Sequence, residues 1–272
     1  MQPEHIPAAL EIIAAHDEDD AECAEESYAE SLEGQYIYHK GSTILGVTGY
    51  DVAGDIATIS WTYIAEPHRK QGHGTAMLEQ LIKSLKKRKL RKVYVHTSDY
   101  RDSPWTPMLY AEAIALYKKL GFKQEAYHPH YYEKDEGLMI FGMRIGDPPL
   151  IGKHPARANA DGIEITYIFL LEESESSYAL DWDEDGSGAL TTEQVQQAID
   201  QAKASGATAV FISFPSTFSL NLYSIISSAG FREEAQLTDY HADGIHEVRY
   251  RFNPTNPDQS SSTYPTSYET NY

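Results

Sequence analysis

The sequence predicts an α/β fold, a mixed sheet flanked by helices, followed by a second and partial copy of the same arrangement. Three observations carry that prediction. Residues 58–81, TISWTYIAEPHRKQGHGTAMLEQL, run a β-branched and aromatic strand into a glycine turn and then into an apolar-periodic helix. The elements of residues 3–146 read in the order two helices, three strands, helix, strand, helix, two strands. The stretch GFKQEAYHPHYYEKDEGLMIFGMRI from Gly121 is matched in layout by GFREEAQLTDYHADGIHEVRYRF from Gly230.

Each element has a local reason. Apolar residues Ile6, Ala9, Leu10, Ile13 and Ala14 make a helical stripe over 3–15. A second helix spans 21–32, with Cys23, Ala24, Tyr28 and Leu32 on one side and acids elsewhere. Strand-like runs at 35–39, 43–50 and 56–65 are separated by Lys40-Gly41-Ser42 and Ala53-Gly54-Asp55 turns, an antiparallel meander. Met77, Leu78, Leu81, Ile82 and Leu85 give the next helix one buried face. A strand at 92–97, a loop with Pro104 and Pro107, and a helix at 108–120 follow, and Gly121 ends that helix as a C-cap. Strands at 122–127 and 138–145 complete the sheet. Asp147-Pro148-Pro149 reads as a linker, which sets a first domain at 1–147. The second domain, 148–252, holds a strand at 162–171, the turn DEDGSG, a helix at 191–205, a strand at 207–214, a helix and a final hairpin. Residues 253–272 are rich in Ser, Thr, Pro and Asn and read as a disordered tail.

Composition narrows the function. With 272 residues and 41% hydrophobic content the chain can fill two modest cores. A net charge of −19 argues against a nucleic-acid partner, because such binding requires a basic face that displaces counterions. No apolar run is long enough to span a membrane, and the first residues lack a basic leader. The single cysteine, Cys23, excludes an internal disulfide framework and fits a reducing cytoplasm. Nine carboxylates crowd residues 17–33, whereas seven basic residues crowd residues 83–92. Nothing in the sequence specifies an oligomeric state.

The glycine turn is the first chemical signature. Gly72 and Gly74 let the backbone take positive φ or approach a ligand closely, and the helix that starts there points unpaired N–H groups back into the turn. Such a start binds anions, above all phosphate. The turn lacks the lysine-threonine pair of a nucleoside triphosphate loop, and its spacing differs from the dinucleotide fingerprint. The second signature is LYKKLGF at residues 116–122, in which Tyr117 stands four residues before Gly121.

Arg69, Gly72 and Gly74 together with LYKKLGF resemble the GCN5-related N-acetyltransferase (GNAT) family, over about residues 3–146. The resemblance implies acetyl-CoA as co-substrate, with its pyrophosphate on Arg69 and on the backbone of Lys70, Gln71, Gly72, His73, Gly74 and Thr75. It implies that the backbone of Tyr63, Ile64 and Ala65 pairs with the pantetheine arm, and that Tyr117 protonates the departing thiolate. A phenol near pKa 10 suits that donation to a thiolate. Glu66 and His96 are candidates for the general base, and solvent-mediated deprotonation needs neither. The resemblance further implies a primary amine, of a small molecule or a protein, as acceptor. In this family the first two helices form the acceptor wall, so the acids of 17–33 would favour a cationic amine.

The second copy departs at both signatures, because Ile226 stands where Tyr117 would and Asp183 and Asp185 would repel a pyrophosphate. It reads as catalytically silent. The same turn, residues 183–194 (DEDGSGALTTEQ), looks like an EF-hand calcium loop. Asp183, Asp185 and Ser187 would be side-chain ligands, Ala189 the carbonyl ligand, and Gln194 replaces the usual bidentate glutamate. The alternative function is therefore a calcium-binding regulatory protein on a non-catalytic acyltransferase scaffold. His128 and His130, flanking Pro129, have a spacing that permits metal binding.

Overall fold

The computed structural model describes residues 1–146, 163–171, 174–183 and 189–254. The linker read at 147–149, Asp185 and Ser187 of the acidic turn, and the tail beyond residue 254 lie outside the described residues. The chain divides into two compact units, Met1–Pro155 with Ala235–Glu247, and Ala156–Glu234 with Val248–Tyr272. The tip of the last hairpin thus groups with the first unit.

The first unit opens with α1 (Ile6–Ala14) and α2 (Glu18–Glu30). Asp17 caps α2, its Oδ1 accepting from Asp19 N–H at 3.0 Å and Asp20 N–H at 3.2 Å. Three strands follow, β1 (Gln35–Lys40), β2 (Thr43–Ala53) and β3 (Ile56–Ile64), paired as an antiparallel meander. Then come α3 (His73–Lys87), β4 (Lys92–Ser98), α4 (Ala111–Leu120), β5 (Lys123–Glu133) and β6 (Glu136–Arg144). The sheet order is β1-β2-β3-β4-β6-β5, and β3 and β4 are parallel while β4 and β6 are antiparallel. The longer β5 replaces the expected strand 122–127. Pro129 interrupted its alternation in sequence, yet the strand continues through His130, which takes φ +54°.

Two apolar clusters join the helices to the sheet, and a third lines the strands at Ile56, Tyr94, Ala126, Leu138 and Ile140. Leu78, Leu81, Ile82 and Leu85 of α3 and Ile114 and Tyr117 of α4 pack with Ala57, Ile59, Val93, Val95, Met139 and Phe141 of the strands. Ala9, Ile12, Ile13, Ala24 and Tyr28 of the first two helices pack with Val47, and Trp61, Tyr63 and Ala65 lie partly buried against them. An ion pair between buried Arg91 and the more exposed Asp55 fastens β4 to the turn before β3. Arg91, 1% exposed, places Nε 2.8 Å and Nη2 3.0 Å from the two carboxylate oxygens of Asp55.

The second sheet contains β7 (Glu164–Leu170), β8 (Ser177–Asp183), β9 (Ala209–Pro215), β10 (Arg232–Ala242) and β11 (Ile245–Phe252), with α5 (Thr192–Ala204) and α6 (Leu220–Ser228) between them. Its order, β7-β8-β9-β11-β10, repeats β2-β3-β4-β6-β5 of the first sheet. The pairing senses repeat too, because β7 and β8 are antiparallel and β8 and β9 parallel. The match extends to single residues. Gly121 and Gly230 take φ +99° and +100°, and the next residue of each, Phe122 or Phe231, donates its N–H back to Tyr117 O or Ile226 O. Nine residues beyond each glycine, His130 and Asp239 share φ values of +54° and +52°. Residues of L configuration rarely adopt that conformation, so its recurrence at one register position marks a shared strand geometry. β8, SYALDWD, was not anticipated from sequence. Alternation in so short a run, with Asp181 and Asp183 in it, reads as loop until its neighbours are known.

Candidate functional site

The site forms where β3 and β4 part. Their parallel pairing runs only from Ile56↔Lys92 to Ile59↔Val95, although β3 continues to Ile64 and β4 to Ser98. Beyond that point β3 stays with β2 and β4 stays with β6, so the facing edges of 60–64 and 96–98 enclose a wedge. Trp61, at φ +44°, marks the bend. Ala65 N–H donates to Leu45 O of the β2 side at 2.9 Å, so by antiparallel alternation the N–H and C=O of Ile64 turn toward the wedge. Of the three residues expected to offer backbone there, Tyr63 and Ala65 turn to β2 instead.

The glycine turn lies at the end of β3, and its parts have separate jobs. Gly72 is the N-cap of α3 at φ +85°, with open space where a side chain would begin. The helix starts at His73, and no side chain caps it, which leaves the first N–H groups of a 15-residue helix without a side-chain acceptor. Gly74 serves packing. A Cβ there would stand 3.2 Å from Leu116 Cδ2 and 3.7 Å from Ile64 Cγ1, so its absence lets α3 approach α4 and β3. Arg69 Nε donates to Ile64 O at 2.9 Å, Gln71 Nε2 donates to Pro67 O at 2.9 Å, and Lys70 pairs with Glu112 at 3.0 Å. These three side chains brace the turn. Lys70 also has positive φ, +59°, which alternates with that of Gly72 to make a concave run of amides.

Tyr117 projects from α4 into the core and is 5% exposed, its ring against Phe122 and Phe141. Burial raises its pKa above the ordinary phenol value, and the negative charge of Asp20 raises it further. His96 lies on the β4 edge of the wedge, exposed between buried Val95 and Thr97. Glu66 is exposed on the short 3-10 turn Glu66–His68, and its carboxylate has no hydrogen-bond or ion-pair partner among the described residues.

A group that sequence reasoning did not single out lies beside Tyr117. Tyr63 of β3 donates its hydroxyl to Asp20 Oδ2, and the Tyr110 hydroxyl, just before α4, lies 2.8 Å from Asp20 Oδ2 and 2.8 Å from Asp17 Oδ2. The His16 ring lies within 5.6 Å of both tyrosine rings. Burial raises the Asp20 pKa, against the lowering effect of the two tyrosine hydroxyls, and Asp17 raises it further. Burial lowers the His16 pKa, as does the cation of Arg69. Burial, with the Asp20 charge, raises both phenols. The available signal was HDEDD at 16–20: an N-cap aspartate followed three residues later by a second acid puts both on one side of the helix start.

In the acidic turn, Asp183 ends β8 and Ala189 is exposed, whereas Gln194 belongs to a capping box. Its Oε1 accepts from Thr191 N–H at 2.9 Å while its own N–H donates to Thr191 Oγ1 at 3.3 Å. His128 is buried and His130 exposed, and among the described residues no three His, Cys, Asp or Glu side chains gather as a metal site.

A splayed mixed sheet with an uncapped helix start at the divergence is an α/β arrangement able to seat an extended, anionic ligand. Residues 31–124, from before β1 to the start of β5, match the acetyltransferase (GNAT) domain family. No curated protein matches the chain. Among solved structures, it is similar to the ribosomal-protein-S18-alanine N-acetyltransferase of Escherichia coli, at 23% identity over 55% of this chain and 95% of that one, with a TM-score of 0.45. Ard1 of Thermoplasma volcanium gives 19% identity over 54% and 95%, with a TM-score of 0.45. The aminoglycoside 6'-N-acetyltransferase of Enterococcus faecium gives 16% identity over 55% and 95%, with a TM-score of 0.44. Among the described residues, no helix is long and apolar enough to cross a membrane.

Proposed function

We propose that the chain is an acetyl-CoA-dependent N-acetyltransferase that acts on a primary amine through its first unit. The observation that carries this reading is the uncapped start of α3 beside the β3/β4 wedge. The amides of residues 70–75 suit a pyrophosphate, while the wedge accepts an extended arm that pairs with the outward N–H of Ile64, whose carbonyl is held by Arg69. The family match over 31–124 supports it, since that range contains the turn, the wedge and Tyr117. Catalysis in such a site is chiefly positioning: a neutral amine attacks the thioester carbonyl, and Tyr117 gives its proton to the leaving sulfur. The second sheet repeats the strand order without Tyr117, and α5 begins with its own side-chain cap, which favours a silent second copy. Calcium at 183–194 rests on the sequence pattern alone.

Calorimetric titration of the full chain with acetyl-CoA tests the reading. One site per chain is expected, and its affinity should fall in Gly72→Val. Absence of binding would overturn it, and a second site would overturn the silent copy.

A further inference from the structure

The proton economy around Asp20 assigns the missing base, an inference that rests on the acetyl-transfer reading above. Three oxygen-to-oxygen contacts meet here: Tyr63 with Asp20, Tyr110 with Asp20, and Tyr110 with Asp17. Two phenols supply two protons for three contacts. The third contact becomes a hydrogen bond when Asp20 carries a proton and donates it to the Tyr110 oxygen, while Tyr110 donates to Asp17. The cluster is therefore built to take up one more proton, and Asp20 is its seat. Asp17 is already committed, with Oδ1 capping α2 and Oδ2 on Tyr110. Asp20 makes its bonds through Oδ2, which leaves Oδ1 unpartnered among the described residues.

We propose that Asp20 is the general base of the acetyl transfer, held in place by Tyr63, Tyr110 and Asp17 as positioning residues. The amine nitrogen bonds to the thioester carbonyl carbon and the carbon–sulfur bond breaks. The proton lost from nitrogen passes to Asp20, and the Tyr117 hydroxyl proton passes to sulfur. Asp20 then returns its proton toward the Tyr117 phenolate, and both groups are restored. Tyr110, which contacts Asp20, packs against the apolar cluster that holds Tyr117, and this places the two groups on either side of one ring. The groups that face Asp20 are His16 from the end of α1, Asp17 from the start of α2, Tyr63 from β3, and Tyr110 and Tyr117 from the α4 side. Arg69 and Glu112 act at longer range on His16.

The experiment measures thiol release from acetyl-CoA with benzylamine and a set of aliphatic primary amines, across pH, beside acetyl-CoA titration of the same proteins. Asp20→Asn is expected to lower kcat about 100-fold or more, the usual scale of a general base. Its acetyl-CoA affinity should stay within about twofold. The acid limb of kcat/KM should disappear in Asp20→Asn and persist in His16→Gln. The double variant Tyr63→Phe, Tyr110→Phe removes the Tyr63 bond that favours the carboxylate and lines Asp20 with apolar rings, so its acid limb should move to higher pH. A kcat within threefold of wild type in Asp20→Asn, or an unmoved acid limb in the double variant, would overturn the assignment. So would a wild type that binds acetyl-CoA but acetylates none of these amines. Loss of acetyl-CoA binding by the wild type itself would instead sink the acetyltransferase reading.

Discussion

At the scale of single residues, the chemistry depends on groups removed from water. Tyr117 sits in an apolar cluster, and a phenol there keeps its proton until a stronger base forms beside it. Tyr117→Phe preserves the packing volume, so it should fold normally, bind acetyl-CoA within about twofold of wild type and lose about 100-fold in kcat, read by steady-state kinetics. Failure of kcat to fall would remove the acid role. His16 gives a stability test independent of turnover. Its folded pKa is lowered, so folding favours the neutral ring: the stability it contributes is full above the ordinary histidine value and drains as pH falls through it toward the lowered value. Urea unfolding midpoints of wild type should drop over that window relative to His16→Gln, and parallel curves would contradict the burial argument.

At the scale of elements, the turn between β3 and α3 combines two glycine requirements that look alike in sequence. Gly72 needs positive φ and has open space around it, so Gly72→Ala meets no clash but strains the backbone by about 1–2 kcal/mol. Chemical denaturation should show that loss, accompanied by weaker acetyl-CoA binding as the amides tilt away. Gly74 is a packing residue; its substitution by Ala presses on the flexible end of Leu116, and the neighbour must shift by only tenths of an ångström. Gly74→Ala should therefore be milder than Gly72→Ala in both measurements, and the reverse order would show that Gly74 approaches the ligand. The strand, the turn and the helix were all legible here, because period-2 and period-3.6 patterns flank a glycine pair. The division of labour between Gly72 and Gly74 was not, because it depends on Leu116, far away in sequence on α4.

At the scale of the molecule, two sheets share one strand order while only the first has a phenol before its glycine C-cap. Ile226, buried at the position corresponding to Tyr117, serves the second core. Ile226→Ala should destabilise that unit by about 2–5 kcal/mol, the range for emptying a buried aliphatic site. Scanning calorimetry would detect this, and acetyl-CoA affinity should be unchanged below the transition. A loss of binding at temperatures where the fold persists would show that the second unit contributes to the site.

The sequence by itself determined most of the elements, β8 excepted, and pointed to the repeated layout. Hydrophobic periodicity, glycine stops and the recurrence of GF followed by a hairpin are local signals, and each one survives without knowledge of the partners. It also marked Tyr117, because LYKKLGF resembles a family pattern in which a tyrosine stands four residues before the glycine. Only the tertiary structure decided where β3 leaves β4, that Arg69 braces the turn through Ile64 O, and that Asp20 meets Tyr63 and Tyr110. Those facts arise from residues dozens of positions apart. Asp20, Tyr63 and Tyr110 come from a helix, a strand and a loop end whose meeting no spacing encodes, and burial at that meeting point is what changes their acidity.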